Sequence, residues 1–260
     1  MVKELKTPSV PALDRALSTL EMLANSRSGL SLPDLARRLN LPKSSVHCLL
    51  LTLERRGYLH RNEKTNRYLF GYKLFSVANE ALSGIDLREK AVPFLRALMS
   101  RTRLTVHLAI LERREGVLIE KVEPAGVYKL ATWLGKRMHM HCTGVGKALM
   151  AWLPESDVDA IVREHGLPRH NDNTVASFKK LKDELARIRK LGYAIDDEED
   201  ELGYRCVGCP IFDDHGNVIA AVSSSGTTSQ ITAENVGAVG EQVKQCAASI
   251  SALLGYPLPV

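Results

Sequence analysis

The sequence predicts an α+β protein with two domains. Its 260 residues are enough for two domains of ordinary size, and its 45% hydrophobic and 25% charged residues are normal for a globular chain. The first 70 residues read as short helices followed by a hairpin. In the rest of the chain, hairpin-like strand pairs alternate with helices, which favours an antiparallel sheet.

Caps and hydrophobic spacing predict the elements of the first 70 residues. Pro11 can begin a helix in which apolar residues recur every three to four positions. Ser31 is a suitable N-cap for a second helix, and Pro42 opens a third, which Gly57 ends. The predicted elements are helices over 11–24, 32–39 and 42–56 and strands over 58–60 and 67–70. This order of three helices and a hairpin is that of a winged helix-turn-helix.

Helices and hairpins alternate in the remaining sequence. Polar turns at 112–116 and 213–217 each separate two apolar stretches, which predicts two hairpins. Ser83 and Gly84 mark the expected boundary between a connecting helix and the second domain. The predicted elements are helices over 71–83, 87–101, 145–152, 155–165, 178–191 and 233–254 and strands over 105–111, 117–122, 128–133, 204–212 and 218–225.

Positive charge is concentrated near the start of the chain. Residues 1–70 contain 12 Lys and Arg against 6 Asp and Glu, a net charge of +6, whereas residues 71–260 contain 23 and 24. A basic module on a near-neutral body suggests that contact with a polyanion is confined to that module. Chance asymmetry of a solvated surface is the alternative.

The third predicted helix is amphipathic in a way that suits DNA recognition. At 100° per residue, a valine and three leucines between Val46 and Leu53 form one stripe, which predicts packing on the first two helices. The opposite face begins with small polar residues that can enter a major groove. A three-helix unit that binds protein is the alternative. The predicted DNA-binding residues are Lys43, Ser44, Ser45, His47, Cys48, Arg55 and Arg67, with Lys43 and Arg55 as phosphate contacts and Arg67 in the wing.

The stretch from His141 to Lys147 leads into a helix of the second domain. Free backbone N–H groups of residues 143–145 at that helix start would attract a carboxylate. A plain loop–helix junction explains the spacing equally well. The stretch is not a P-loop, because alanine follows Lys147 where Ser or Thr is required.

Cysteines and histidines in the second domain raise the alternatives of a zinc site and of an enzyme. Cys206 and Cys209 are three apart on a predicted strand, so their side chains point to opposite faces, and there is no second C-x-x-C. We therefore predict no metal and no cofactor. A small-molecule enzyme that uses Cys142 or Cys206 as a nucleophile is the alternative function, but it would not need a basic first domain.

Cysteine usage and hydropathy predict a cytoplasmic protein without a membrane partner. The five cysteines have no regular spacing, which argues against a disulfide framework and suits a reducing compartment. No apolar run approaches the roughly 20 residues that cross a bilayer.

Several segments, in order, resemble the IclR-type bacterial transcription regulators. They are residues 31–46, 53–59, 67–69, 140–149, 188–199 and 203–213. The resemblance implies a regulator, usually a repressor, that binds a double-stranded DNA operator as a homodimer or a dimer of dimers. It also implies a GAF-like effector domain that binds a small organic acid. We therefore expect a DNA-binding domain over 8–70, a linker helix over 71–85 and the effector domain over 86–256.

The same resemblance implies an effector pocket with an apolar wall and two polar groups. Tyr204 is bulkier than the expected aliphatic residue, so it can reshape the cavity. Cys48 stands where many members have arginine, so operator preference can differ. Within the acidic run 196–201, only Asp196 is expected to turn inward. The implied effector-binding residues are Val127, Leu130, Met138, Gly144, Val145, Asp196, Tyr204 and Cys206.

Overall fold

The computed structural model describes residues 10–26, 28–83, 86–125 and 130–257. The chain divides into two compact units, with the division after Gly84, and each unit has a hydrophobic core of its own. The first unit is a winged helix-turn-helix followed by one helix, and the second is an antiparallel sheet covered by helices. The predicted α+β fold is therefore confirmed.

The first unit packs three helices against a small sheet in the order β1-β3-β2. Apolar side chains of the three helices and Leu30 of the first strand form its core, which Leu59 and Tyr68 of the hairpin close. Strand β1 was not predicted, because two residues leave no periodic signal. The elements are α1 (Pro11–Ala24), β1 (Leu30–Ser31), α2 (Leu32–Leu39), α3 (Lys43–Arg55), β2 (Leu59–Asn62), β3 (Arg67–Phe70) and α4 (Tyr72–Ser83).

Local interactions fix where α2 begins and ends. Ser31 caps α2 as predicted: its Oγ accepts the Asp34 N–H at 3.3 Å, and Asp34 Oδ2 accepts the Ser31 N–H at 3.4 Å. Asn40 ends the helix in the left-handed conformation, with φ of 52°. Asparagine tolerates this conformation better than most residues, so the chain turns within three residues into α3.

The second unit is built on a six-stranded antiparallel sheet in the order β6-β5-β4-β9-β8-β7. Helices α5 and α9 share a core with one face of the sheet, and α6, α7 and α8 share a core with the other. The elements are α5 (Asp86–Thr102), β4 (Thr105–Glu112), β5 (Glu115–Val122), β6 (Arg137–Met138), α6 (Gly144–Met150), α7 (Glu155–His165), α8 (Phe178–Leu191), β7 (Ala194–Asp197), β8 (Tyr204–Phe212), β9 (Val218–Thr227) and α9 (Val236–Leu253).

The strand predicted over 128–133 is wrong for its described part, residues 130–133. Two carbonyl groups of this segment, those of Leu130 and Thr132, accept hydrogen bonds from Lys121 Nζ at 2.9 and 3.1 Å. The edge strand lies instead at Arg137–Met138, where it pairs with β5. The remainder of the predicted strand, 128–129, lies outside the described residues.

Candidate DNA-binding surface and effector cavity

The polar face of α3 is exposed and its apolar stripe faces inward, as the helix wheel predicted, although Leu49 and Leu53 are only half-buried. Val46 and Leu50 have no exposed surface, whereas Ser44, His47 and Cys48 are exposed. The predicted contact residues Lys43, Ser45 and Arg55 are exposed as well. The stripe packs against the core of the first unit. The first turns of α3 therefore stay exposed and can enter the major groove of DNA.

The hairpin β2–β3 forms the wing, but Arg67 is partly engaged within the domain. Its Nη1 donates a 2.8 Å hydrogen bond to the Gly29 carbonyl, and the residue is only half-exposed. The exposed cations of the wing are Arg61, which bonds Asn66 Oδ1 at 2.8 Å, and Lys64 at the tip. Sequence reasoning missed both, although the polar run N-E-K-T-N marked the tip.

A cavity of about 50 Å³ lies between the start of α6 and the sheet of the second unit. A buried water needs roughly 10–15 Å³ of such space, so the cavity holds a few water molecules or a small group. Its lining includes every predicted effector residue that the structure describes, namely Leu130, Met138, Gly144, Val145, Asp196, Tyr204 and Cys206. Val127 lies outside the described residues.

The effector cavity is also lined by residues outside the predicted effector set. His107 Nδ1 lies 3.3 Å from Ser225 Oγ, and His107 Nε2 lies 2.9 Å from Thr132 Oγ1. Burial, helped by the nearby charges of Lys121 and Lys136, lowers the pKa of His107 to about 3. The ring is therefore neutral at physiological pH. The other additional lining residues are Ala131, Lys136, Thr143, Asp200, Glu201 and Ser223.

Asp196, on β7, is a buried residue of the cavity lining. Its Oδ1 accepts the N–H of Glu199 at 2.9 Å and that of Asp200 at 3.4 Å. Burial raises the pKa of Asp196 to about 7, although Lys147 opposes the shift. This carboxyl group is therefore poised to change its charge near neutrality.

Burial makes Cys142 and Cys206, the two candidate nucleophiles of the sequence, poor nucleophiles. Desolvation raises the pKa of the Cys142 thiol, and nearby Asp200 raises it further. Burial also raises the pKa of Cys206, with Asp196 adding to the effect. Nucleophilic cysteine chemistry requires a thiolate, and these surroundings favour the thiol.

The acidic run 196–201 is less solvated than predicted, because Glu199 is buried together with Asp196. Glu199 pairs with Lys147, whose side chain has no exposed surface. Lys147 Nζ also bonds the Ile195 carbonyl and Glu184 Oε1, the latter at 3.3 Å. Lys147 therefore connects α6 to β7, which carries Asp196, and to the loop after it, which carries Asp200.

Two glycines let α6 start in direct contact with β8. A Cβ atom on Gly208 would lie 2.2 Å from the Gly144 carbonyl oxygen, and one on Gly144 would lie 3.3 Å from the Cys206 Cβ. Within α6, Thr143 Oγ1 accepts the Gly146 N–H at 3.1 Å and caps the helix. Backbone packing therefore requires glycine at position 208, and also at position 146, where a Cβ atom would lie 2.4 Å from the His139 carbonyl oxygen.

Three histidine rings gather beside the effector cavity, on the side of a second cavity of about 130 Å³. The ring centroids of His139 and His170 are 4.5 Å apart, and those of His141 and His170 are 6.1 Å apart. Partial desolvation lowers the pKa of His139 and burial lowers that of His141, so both rings are neutral near pH 7. His170 comes from a loop 29 positions after His141, and sequence reasoning did not connect the two.

A winged helix-turn-helix with an exposed recognition helix, followed by an α/β domain that encloses a polar cavity, defines a DNA-binding transcription regulator. The known sequences agree. The IclR helix-turn-helix domain matches residues 12–63, and the bacterial transcriptional regulator IclR C-terminal domain matches residues 79–252. The chain therefore belongs to the IclR family, whose members are regulators and not enzymes.

Individual relatives extend over nearly the full chain. The HTH-type transcriptional regulator XynR of Escherichia coli K12 is 36% identical over 96% of this chain and 99% of its own length. The transcriptional repressor IclR of the same organism is 34% identical over 96% and 92%. A solved IclR homologue from Microbacterium hydrocarbonoxydans, in complex with 4-hydroxybenzoate, superposes with a TM-score of 0.81 at 25% identity, covering 94% of this chain and 98% of that one.

None of the helices in the described ranges combines the length and the hydropathy that a membrane span requires.

Proposed function

We propose that this chain is a repressor that binds its operator through α3 and responds to a small organic acid in the effector cavity. The observation that carries the DNA-binding part is the exposed polar face of α3 opposite an apolar stripe whose Val46 and Leu50 are fully buried. The relative named a repressor supports the direction of control. The relative solved with 4-hydroxybenzoate supports an acid as the effector.

We assign operator contacts to the predicted surface of the first unit. The small polar residues of α3 face base edges and the cations face phosphates, which fix position but carry little sequence information. The domain assignment is a DNA-binding domain over 8–70, a linker helix over 71–85 and an effector domain over 86–256. The contact residues are Lys43, Ser44, Ser45, His47, Cys48, Arg55 and Arg67. Such a regulator acts where the chromosome is, in the bacterial cytoplasm.

Replacing Arg55 by alanine is expected to weaken binding to all DNA sequences about equally. One phosphate contact fewer should flatten the plot of log affinity against log salt concentration by about one. Fluorescence anisotropy with the upstream region of its own operon and with shuffled DNA, at four salt concentrations, measures both effects. Arg163→Ala, at an exposed position on α7, is the matched control. An unchanged slope would remove Arg55 from the phosphate contacts, and equal affinity of the unmodified protein for both DNAs would contradict the regulator proposal.

The effector cavity offers a small carboxylate one cation and several neutral hydrogen-bonding side chains, beside the carboxylates of Asp200 and Glu201. Lys136 supplies a cation, and the Ser223 and Ser225 hydroxyl groups beside neutral His107 supply hydrogen-bonding groups. Apolar Leu130 and Met138 exclude water, which strengthens these bonds. A thermal-shift screen of small aliphatic and aromatic acids identifies the effector class.

The affinity for such an acid is expected to fall as pH rises through about 7. A protonated Asp196 can donate to the bound carboxylate, whereas an ionised Asp196 repels it. With a pKa of about 7, the protonated fraction, and with it the apparent affinity, drops roughly tenfold between pH 6 and pH 8. Calorimetric titration across this range should show the drop in the unmodified protein and its absence in Asp196→Asn. Asp197→Asn, at the exposed neighbouring position, should retain it, and a flat profile for the unmodified protein would contradict this role of Asp196.

We propose that two copies pair through an apolar groove of the first unit. Tyr72 and Phe75 on α4 are 92% and 78% exposed, which is unusual for large side chains without a partner. Leu20 and Ala24 of α1 and Phe70 complete the groove. A symmetric pair would read two half-sites roughly 34 Å or a multiple of it apart. Sedimentation equilibrium distinguishes a homodimer from a dimer of dimers.

A further inference from the structure

We propose that His141, Cys142 and His170 form a binding site for a divalent transition metal of the zinc class. One potential ligand atom of each residue lies within 4.8 Å of those of the other two. Two imidazoles and one thiolate are a donor set that zinc prefers, whereas magnesium and calcium prefer oxygen. His141 and Cys142 are buried, so two of the three ligands are held by the core of the second unit.

A hydrogen bond already sets the tautomer of His141. Its Nε2 lies 3.0 Å from the Pro168 carbonyl oxygen, which can only accept, so Nε2 carries the proton. The other ring nitrogen is then unprotonated, as a metal ligand must be. A carbonyl partner of this kind is the usual outer support of a metal-bound histidine.

The loop that carries His170 is anchored near the site while its imidazole stays adjustable. The His170 N–H donates to Thr174 Oγ1 at 3.1 Å, and the Thr174 hydroxyl donates to the Glu199 carbonyl at 2.7 Å. In a tetrahedral zinc site, ligand atoms lie about 3.3–3.6 Å apart. Closing from 4.8 Å requires a movement on the order of 1 Å, which the exposed ring of His170 can supply by rotation about its side chain.

The charge and the open position of the site also fit a divalent cation. On metal binding, Cys142 releases its proton to solvent and its thiolate binds the metal. The charge of the metal then offsets the cost of a buried thiolate. Asp200 adds a carboxylate, with Oδ1 at 3.8 Å from Cys142 Sγ. Exposed His139, whose ring contacts that of His170, and water are the candidates for the fourth position.

The other described group of this kind, Asp213, Asp214 and His215, is a weaker candidate. Its members are consecutive, Asp214 and His215 are exposed, and the Asp213 carboxylate already accepts the N–H groups of His215 and Asn217. Hard carboxylates without sulfur also give it little preference for zinc. It supplies the matched control for the experiment.

Cobalt titration of the full chain, without a histidine tag and after removal of metals by a chelator, tests the proposal. We expect one Co²⁺ per chain, a thiolate-to-cobalt charge-transfer band in the near ultraviolet, and loss of that band on addition of Zn²⁺. Cys142→Ser should remove the band. His170→Ala, at an exposed position that does not endanger folding, should weaken binding by at least the roughly 10–100-fold that loss of an outer-shell partner costs.

His215→Ala should leave stoichiometry, affinity and spectrum unchanged. The proposal is overturned if the folded protein shows no charge-transfer band, if His170→Ala binds cobalt as tightly as the unmodified chain, or if His215→Ala abolishes binding.

Discussion

Lys147→Met should destabilise the second unit by about 3–5 kcal/mol, the usual cost of removing one partner of a buried ion pair. Methionine fills similar space, but it leaves the Glu199 carboxylate buried without its cation. Burial already raises the pKa of Glu199, and loss of the lysine raises it further. When folding raises the pKa of an acid, the free energy of unfolding falls as the pH rises and the acid ionises. The loss of stability in Lys147→Met should therefore be larger at pH 8 than at pH 6. Urea denaturation at both values measures it.

Two further variants separate charge from packing in this prediction. Adding Glu199→Gln to Lys147→Met removes the stranded charge and should restore part of the stability. Lys182→Met breaks an ion pair with Glu155 at the surface, where both side chains are at least 41% exposed, and should cost less than about 1 kcal/mol. If the Lys147 and Lys182 variants lost equal free energy of unfolding, the buried pair would contribute no more to stability than the surface pair.

Gly208→Ala should cost about 3 kcal/mol and abolish the effector response. The new methyl group would lie 2.2 Å from the Gly144 carbonyl oxygen, so α6 and β8 must separate. Because the contact is between two backbones, no side-chain rotation relieves it, which places the cost at the upper end of overpacking. Gly144 and Cys206 both line the cavity beside this contact, so its shape changes as well.

Gly237→Ala is the control for this glycine prediction. Gly237 lies in α9, where an added Cβ would have its nearest neighbour at 3.9 Å. Alanine is the better helix former, so this variant should be as stable as the unmodified chain or up to about 1 kcal/mol more stable. Thermal unfolding with and without the effector compares the two variants. If Gly208→Ala unfolded at the same temperature as the unmodified chain and bound the effector equally well, the contact between Gly208 and Gly144 would not be needed for stability or for the cavity.

Local signals in the sequence predicted most elements of the fold. The capping serine of α2, the proline before α3 and the glycine after it each act within a few residues, so no long-range contact is needed to interpret them. The failures lie where distant contacts decide the structure. Residues 130–133 have apolar character suited to a strand, yet their carbonyl groups bind Lys121. The short strand β7 was not predicted, because its second half belongs to the acidic run 196–201 and its pairing with β8 is set by tertiary structure.

The candidate sites were predictable to different degrees for the same reason. The DNA-binding surface depends on the two faces of one helix, and periodicity distinguishes them. The predicted effector residues came from the family resemblance, and no local pattern pointed to His107 or Ser225, which strand pairing brings together. Burial of Glu199 was equally hidden, since only the fold places Lys147 beside it. His170 meets His141 only because the loop after α7 returns to the start of α6.

Cys48 gives this chain a chemically distinctive position. Among its five cysteines, Cys142, Cys209 and Cys246 are buried and Cys206 is half-buried, whereas Cys48 is exposed on the outward face of α3. A maleimide dye at limiting concentration should therefore label this thiol first. Because Cys48 lies among the residues assigned to the operator, the dye should obstruct DNA binding, and bound DNA should slow the labelling. Protection of Cys48 from alkylation would likewise map the complex in a whole-cell extract.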